Sequence, residues 1–138
     1  MISDFDVSCF RPVSYELRLA SIATLLDSDK DVPDLRDEQL PFILKSGEYV
    51  LGKSVESLKM PANMLGLVVS TSFAIRIGLG INSGKIDPTF NGNVSFGIQN
   101  LTKHGIILKK DMRLVHLMIS EFKGETIPLE SKYFGGTL

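Results

Sequence analysis

Residues 84–92 read Gly-Lys-Ile-Asp-Pro-Thr-Phe-Asn-Gly, which sets Asp87 between an apolar residue and a proline inside a tight, glycine-bounded loop. Such stiff neighbours decide where the carboxylate points, because Pro88 fixes its own φ and restricts the residue before it. Aimed at solvent, the carboxylate can hold a water within hydrogen-bond reach and accept its proton as a general base. Aimed at its own turn, it only braces the loop through Asx hydrogen bonds, as aspartate commonly does.

The other reactive side chains are few. Two histidines, His104 and His116, and one cysteine, Cys9, cannot form a four-ligand zinc site without several acids, and no pair has the short spacing of such sites. A zinc-activated water of the nucleobase-deaminase type is therefore not expected. With a single cysteine there is no internal disulfide, and the start MISDFDVSCF lacks the basic region and long apolar stretch of a secretion signal. The expected compartment is the reducing cytoplasm. No apolar run approaches the roughly 20 residues that span a bilayer, so no membrane role is expected. A formal charge of −1 and a pI near 6.1, with the charges scattered, argue against a nucleic-acid partner.

The 138 residues suffice for one domain, expected over 1–130, followed by a short C-terminal arm over 131–138. Short apolar and β-branched segments separated by Gly, Pro, Asn and Asp dominate, and no helical period is sustained over three turns after residue 40. The pattern predicts an all-β fold with strands at 14–19, 48–51, 54–58, 66–70, 78–82, 93–99, 105–108 and 113–122. Strands spaced by about ten residues with turns between them suit a sandwich, jelly roll or small barrel. The acidic segment 28–39, which contains Pro33, reads as an exposed loop. In 93–99, Val94, Phe96 and Ile98 share a core face, and Ser95, Gly97 and Gln99 share a small, polar one. Segment 113–122 is apolar on both faces apart from His116 and Ser120, which places it between layers or at a subunit contact. A lone histidine there reads as a structural residue.

Five motifs then occur in order: Ser14-Tyr15-Glu16-Leu17-Arg18-Leu19, Lys45-Ser46-Gly47-Glu48-Tyr49-Val50-Leu51-Gly52, Thr71-Ser72-Phe73-Ala74-Ile75-Arg76-Ile77-Gly78-Leu79, the Asp87 loop continuing to Asn100, and Lys110-Asp111-Met112-Arg113-Leu114. Together they resemble the dUTPase and dCTP deaminase superfamily over nearly the whole chain. The first half looks more like the deaminase branch, and the loop looks equally like the dUTPase branch. The resemblance implies a distorted β jelly roll that assembles as a homotrimer, with sites for a pyrimidine deoxynucleoside triphosphate between subunits.

It also implies roles for residues. Asp87 matches the aspartate that orients a water for attack on the α-phosphorus of dUTP, and Phe90 the aromatic that packs on the deoxyribose. The edges of a hairpin over 81–86, carrying Ile81, Asn82, Lys85 and Ile86, would bind the pyrimidine through backbone groups. Ser72, followed by Phe73, matches a serine at the phosphate bridge, and Arg76 an arginine near the water. Lys132 and Phe134 sit in a glycine-containing arm resembling one that closes over the base. Mg²⁺ would travel on the substrate's phosphates, with no dedicated protein ligand.

The chain also departs from the pattern. The deaminase branch carries a proton-shuttling glutamate ten residues after the aspartate, and Gly97 stands there. Glu16 replaces an aspartate, Thr71 a phosphate-side arginine, Phe73 a small residue and His116 a glutamine; the arm lacks an arginine. Hydrolysis of dUTP is thus the first reading, a non-catalytic nucleotide-binding or regulatory trimer the second, and dCTP deamination the third.

Overall fold

Apolar side chains at every second position make strands, and the structure, a computed structural model that describes residues 1–123, shows eleven of them with one short α-helix between. In chain order they are β1 (Ile2–Ser3), β2 (Tyr15–Leu26), β3 (Asp34–Glu38), β4 (Phe42–Leu44), β5 (Tyr49–Lys59), β6 (Met64–Ser70), α1 (Ser72–Ile77), β7 (Leu79–Asn82), β8 (Lys85–Ile86), β9 (Asn91–Asn100), β10 (Ile106–Leu108) and β11 (Arg113–Glu121). Nine strands form one antiparallel sheet along the path β7-β9-β5-β2-β11-β6-β8, with β1 added on β5 and β3 on β2. β10 and β4 form a separate ladder. The two ends of the path, β7 and β8, are consecutive in the chain and separated only by Ser83 and Gly84, so the sheet has to curl until its edges approach. The expected all-β jelly-roll architecture is therefore the observed one. No helix among the described residues is long and apolar enough to cross a membrane.

The core lies inside this curl. Val50 and Leu58 of β5, Leu17, Leu19 and Ile22 of β2, Val94, Phe96 and Ile98 of β9, and Leu114 and Leu117 of β11 are almost wholly buried. Each such side chain contributes about 1.5–3 kcal/mol through removal from water. The segments 48–51 and 54–58 are one strand, not two. Gly52, which reads as a break in the sequence, lies mid-strand because a Cβ there would come within 3.0 Å of Ile98 and Leu19. Segment 28–39 is likewise only partly a loop: Asp34–Glu38 pairs with residues 22–26 of β2, and Thr24 donates to Glu38 at 2.7 Å. Its residues lack alternation because backbone pairing, and not burial, holds them, and their charges discourage further edge pairing.

Buried polar residues fix the register. Glu56, on the core face of β5 and fully buried, accepts hydrogen bonds from the Tyr15 hydroxyl (2.6 Å), the Arg18 amide (2.9 Å) and Arg18 Nε (2.9 Å). An irregularity between Lys53 and Ser57 shifts the β5–β9 pairing, and Asn93 closes it by donating to the carbonyls of Ser54 and Glu56. Asn100, also fully buried, donates to the carbonyls of Leu44 and His104 and accepts from the amide and hydroxyl of Thr102.

Helix α1, absent from the sequence expectation, is six residues long and thus too short to show a period over several turns. Its ends carry the signal instead. Thr71 Oγ1 accepts from the Ala74 amide at 3.2 Å and donates to the Arg113 carbonyl at 3.0 Å. Gly78 closes the helix at φ +86°, and a Cβ there would meet Thr102 at 2.2 Å.

These contacts set two expectations for stability. Thr71→Ala removes a buried cap and should cost about 0.5–2 kcal/mol in chemical denaturation, with Thr71→Ser restoring most of the loss. Tyr15→Phe leaves Glu56 one donor short and should cost about 1–3 kcal/mol. Burial first, and the Glu56 hydrogen bond second, raise the Tyr15 phenol above its ordinary value of 10.0. Its contribution is therefore whole below that pH and is lost as pH rises through the native-state value. Denaturation curves of wild type and Tyr15→Phe should keep a constant separation near neutrality and converge in alkali beyond pH 10, the ordinary phenol value.

Candidate functional site

The seam where the sheet's two edges approach is built from strands that share a connection but not a ladder. β7 pairs with β9, setting Asn82 beside Gly97 and Gly80 beside Gln99. β8 pairs with β6, setting Ile86 beside Gly66 and Lys85 beside Leu67. The expected hairpin over 81–86 is therefore not self-paired: among the described residues each arm has one partner strand and one edge without a ladder. Ser83 and Gly84 tie the connection to β6, since Ser83 Oγ donates to the Val68 carbonyl at 2.7 Å and the Val68 amide donates to the Gly84 carbonyl at 3.1 Å. Backbone donors and acceptors along an open edge suit recognition of a flat, hydrogen-bonding ligand.

Asp87 follows β8 directly. The turn after it is held by its backbone: the Phe90 amide donates to the Asp87 carbonyl, Thr89 to the Met60 carbonyl, and Met60 to the Phe90 carbonyl. Thr89 takes a left-handed φ of +66° in this turn. The Asp87 side chain is 41 % exposed and forms an ion pair with the Lys85 ammonium. Phe90 is half-buried and packs against the core, as a hydrophobic anchor for the loop would. Ile86 is buried, Ile81 half-buried and Asn82 exposed.

Ser72, Phe73 and Arg76 lie on α1, where all three are exposed, and Arg76 has no ion pair among the described residues. No hydrogen bond or ion pair joins α1 to Asp87 among those residues. One chain therefore brings together Asn82, Lys85, Asp87 and Phe90 around the seam and carries Ser72, Phe73 and Arg76 on a separate element. Lys132 and Phe134 lie outside the described residues, as does the arm 131–138.

Tyr49 and Gly97, which lie in separate motifs, meet at the seam. Tyr49 stands on the outer face of β5, and its hydroxyl accepts a hydrogen bond from Asn82 Nδ2 at 3.3 Å. A Cβ built on Gly97 would fall 1.9 Å from that hydroxyl oxygen and 2.5 Å from its ring carbon Cζ. The place where a side chain at position 97 would begin is thus filled by Tyr49. No alternation in the sequence marks this contact, because Tyr49-Val50-Leu51 are apolar in succession and the inward positions of β5 include Gly52, Ser54 and Glu56. Thr71, read as a missing phosphate arginine, is 2 % exposed and serves as the α1 cap.

The other departures are also structural in their contacts. Glu16 lies 2.8 Å from Arg11 and 3.5 Å from Arg113, and its Oε1 is buried without an aligned hydrogen bond, so charge attraction holds it. His116 Nδ1 lies 3.1 Å from Ser14 Oγ. No group of three or more His, Cys, Asp or Glu among the described residues converges to hold a metal ion.

Comparison with known proteins agrees with this architecture. A dCTP deaminase, dUMP-forming, of Corynebacterium kroppenstedtii is 32 % identical over 152 residues, covering 99 % of this chain and 80 % of the relative. Its namesake in Rhodococcus erythropolis is 29 % identical, covering 97 % and 82 %. Among solved structures, the 2′-deoxycytidine 5′-triphosphate deaminase of Agrobacterium tumefaciens superposes with a TM-score of 0.70 at 21 % identity over 85 % of this chain, which spans 42 % of that one. A point mutant of the dUTPase from Staphylococcus aureus phage phi11, described with a structural Mg(II) ion, gives 0.63 at 15 % identity over 96 % of both chains. These likenesses show the fold. A family model described as dCTP deaminase-like matches residues 1–122, and with the identity to the curated relatives it follows that the chain belongs to the dCTP deaminase-like family.

Proposed function

We propose that the protein hydrolyses dUTP to dUMP and pyrophosphate as a homotrimer acting on the cytoplasmic nucleotide pool. The observation that carries this reading is a contrast at one seam: Asp87 offers a part-exposed carboxylate, while position 97 offers no side chain and is covered by the Tyr49 phenol. The relatives are named for forming dUMP from dCTP. That conversion needs two changes, loss of the 4-amino group and cleavage of the triphosphate. This chain keeps a carboxylate for the second and has glycine in place of the proton-carrying acid that the resemblance assigns to the first.

In this mechanism Asp87 accepts a proton from a water as the water's oxygen bonds to the α-phosphorus, and the bond from that phosphorus to the bridging oxygen breaks to release pyrophosphate. The open edges of β7 and β8 hold the pyrimidine through backbone groups, and Phe90 backs the deoxyribose. Lys85, already beside the carboxylate, has further N–H donors for a phosphate oxygen. Ser72, Phe73 and Arg76, exposed on α1, would serve the phosphates of a neighbouring subunit's site, and Lys132 and Phe134 would close over it. Mg²⁺ would be carried on the substrate's phosphates with water completing its shell, which asks for no dedicated protein ligand. Bound that way, the ion would neutralise phosphate charge.

A non-catalytic nucleotide-binding trimer is the second reading, favoured by the ion pair that already occupies Asp87. Incubation with dUTP, dCTP and Mg²⁺ followed by product separation decides between them. The expected result is dUMP and pyrophosphate from dUTP, no dUTP or dUMP from dCTP, and a roughly 10²-fold to 10⁴-fold loss of turnover in Asp87→Asn. Unchanged dUTP with measurable binding of a non-hydrolysable analogue would favour the second reading. Products from dCTP would overturn the argument from Gly97.

A further inference from the structure

The Asp87 turn is anchored at a different place from the strand edges that flank it. β7 is held by β9 at residues 97–100, and β8 by β6 at 66–67. The turn from Asp87 to Phe90 is held instead by the end of β5, where the Thr89 amide donates to the Met60 carbonyl at 3.1 Å and the Met60 amide to the Phe90 carbonyl at 2.9 Å. Its location therefore follows the register in which the last residues of β5 meet the first of β9, with Lys59 facing Asn91 and Ser57 facing Asn93.

That register does not continue from the rest of the ladder. Between the pairs Lys53–Ser95 and Ser57–Asn93, β5 advances four residues while β9 advances two, so β5 bulges. Among the described residues, Val55 and Glu56 face no partner in the ladders with β1, β2 or β9. Two side chains close the bulge. Ser54, 1 % exposed, donates through Oγ to the Glu56 carbonyl at 2.7 Å and accepts from the Val94 amide at 2.9 Å. Asn93 Nδ2 lies 3.0 Å from the Ser54 carbonyl, 3.1 Å from that of Glu56 and 3.4 Å from that of Val55, so both its protons are directed at the bulge. A bulge re-aims the chain that follows it, and here the strand that follows carries the anchor of the Asp87 turn.

We infer that Asn93 is a positioning residue for the Asp87 carboxylate: its carboxamide, clamped on the β5 bulge, fixes the offset of β5 against β9 and with it the place of the Asp87 turn beside the edges of β7 and β8. The inference rests on the hydrolase reading and adds to it the group that holds the base in place. Because those edges are anchored elsewhere, loss of the clamp moves the base relative to the pyrimidine contacts, and turnover falls further than binding.

The test compares wild type, Asn93→Ala and Asn93→Ser, the serine keeping one donor, in hydrolysis of dUTP with Mg²⁺ and in calorimetric titration with a non-hydrolysable α,β-imido analogue of dUTP. Asn93→Ala should lower kcat by about tenfold to 10²-fold while the analogue's Kd stays within about threefold of wild type, and Asn93→Ser should fall between. Thr24→Ala, which removes the hydrogen bond to Glu38 away from the seam, controls for lost stability and should keep kcat near the wild-type value. Amide hydrogen exchange reads the turn itself: exchange at Thr89 should quicken about tenfold in Asn93→Ala, and exchange at Val68, held by the Gly84 carbonyl, should not. Where Asn93→Ala does not fold, Asn93→Ser decides. A folded variant with wild-type kcat, or a loss of kcat matched by an equal loss of analogue binding, overturns this inference alone. A wild type that leaves dUTP intact overturns it together with the hydrolase reading.

Discussion

The seam exists because two strands adjacent in the chain are the two ends of one sheet. Two residues, Ser83 and Gly84, span from β7 to β8, and a connection that short cannot cross a flat sheet of this width. The curl is therefore imposed by topology and sustained by the core it encloses. Everything assigned to recognition depends on it. β7 and β8 keep one edge each without a ladder because they meet without pairing, and Asp87 sits at the seam because β8 ends after two residues at the constraint of Pro88. If the two strands paired with each other, the same residues would close a barrel and leave no open edge there.

The buried carboxylate of Glu56 holds the opposite side of that curl. An ion in a core costs more than it returns unless its lone pairs are satisfied, and here three donors from β2 reach it across one strand boundary. Arg18 extends the contact outward, donating to the Asp4 carbonyl and lying 4.0 Å from Asp6, so the N-terminal segment is tied to the same point. The arrangement specifies register as well as adding stability, because sliding β5 by one residue would turn Glu56 to solvent and bury Val55. The shift between Lys53 and Ser57, stitched by Asn93, lets β5 satisfy this carboxylate on one side and β9 on the other.

How much of this was legible before coordinates depends on what kind of interaction holds each part. Alternation marks strands whose faces differ in burial, and β6, β9 and β11 are readable to within two residues at each end. β3 has no buried face, and its pairing is a backbone property that side chains do not announce. Gly52 looks like a break in sequence because a turn and a close packing contact both call for glycine, and only the neighbours Ile98 and Leu19 distinguish them. α1 is written in its caps, Thr71 and Gly78, and not in its period. Within the candidate site, Asp87 was visible from its stiff neighbours and from motif order. Tyr49 was not, since its importance lies in the absence of a side chain 48 positions later on another strand.

Two departures from the family pattern share a physical logic. Thr71 and Gly97 each lack the functional group the resemblance would supply, and each is structurally committed. Thr71 is buried and uses its hydroxyl both as helix cap and as a donor to β11, so an arginine there would have to bury a guanidinium and leave α1 uncapped. Gly97 lies beneath a phenol, so a side chain there would require the Tyr49 ring to shift. A substitution at Thr71 gives up a buried cap, and one at Gly97 requires the Tyr49 ring to move. The charged groups that stay exposed at the seam are the Asp87 carboxylate and the Lys85 ammonium, paired with each other, beside the edges of β7 and β8 that carry no ladder among the described residues.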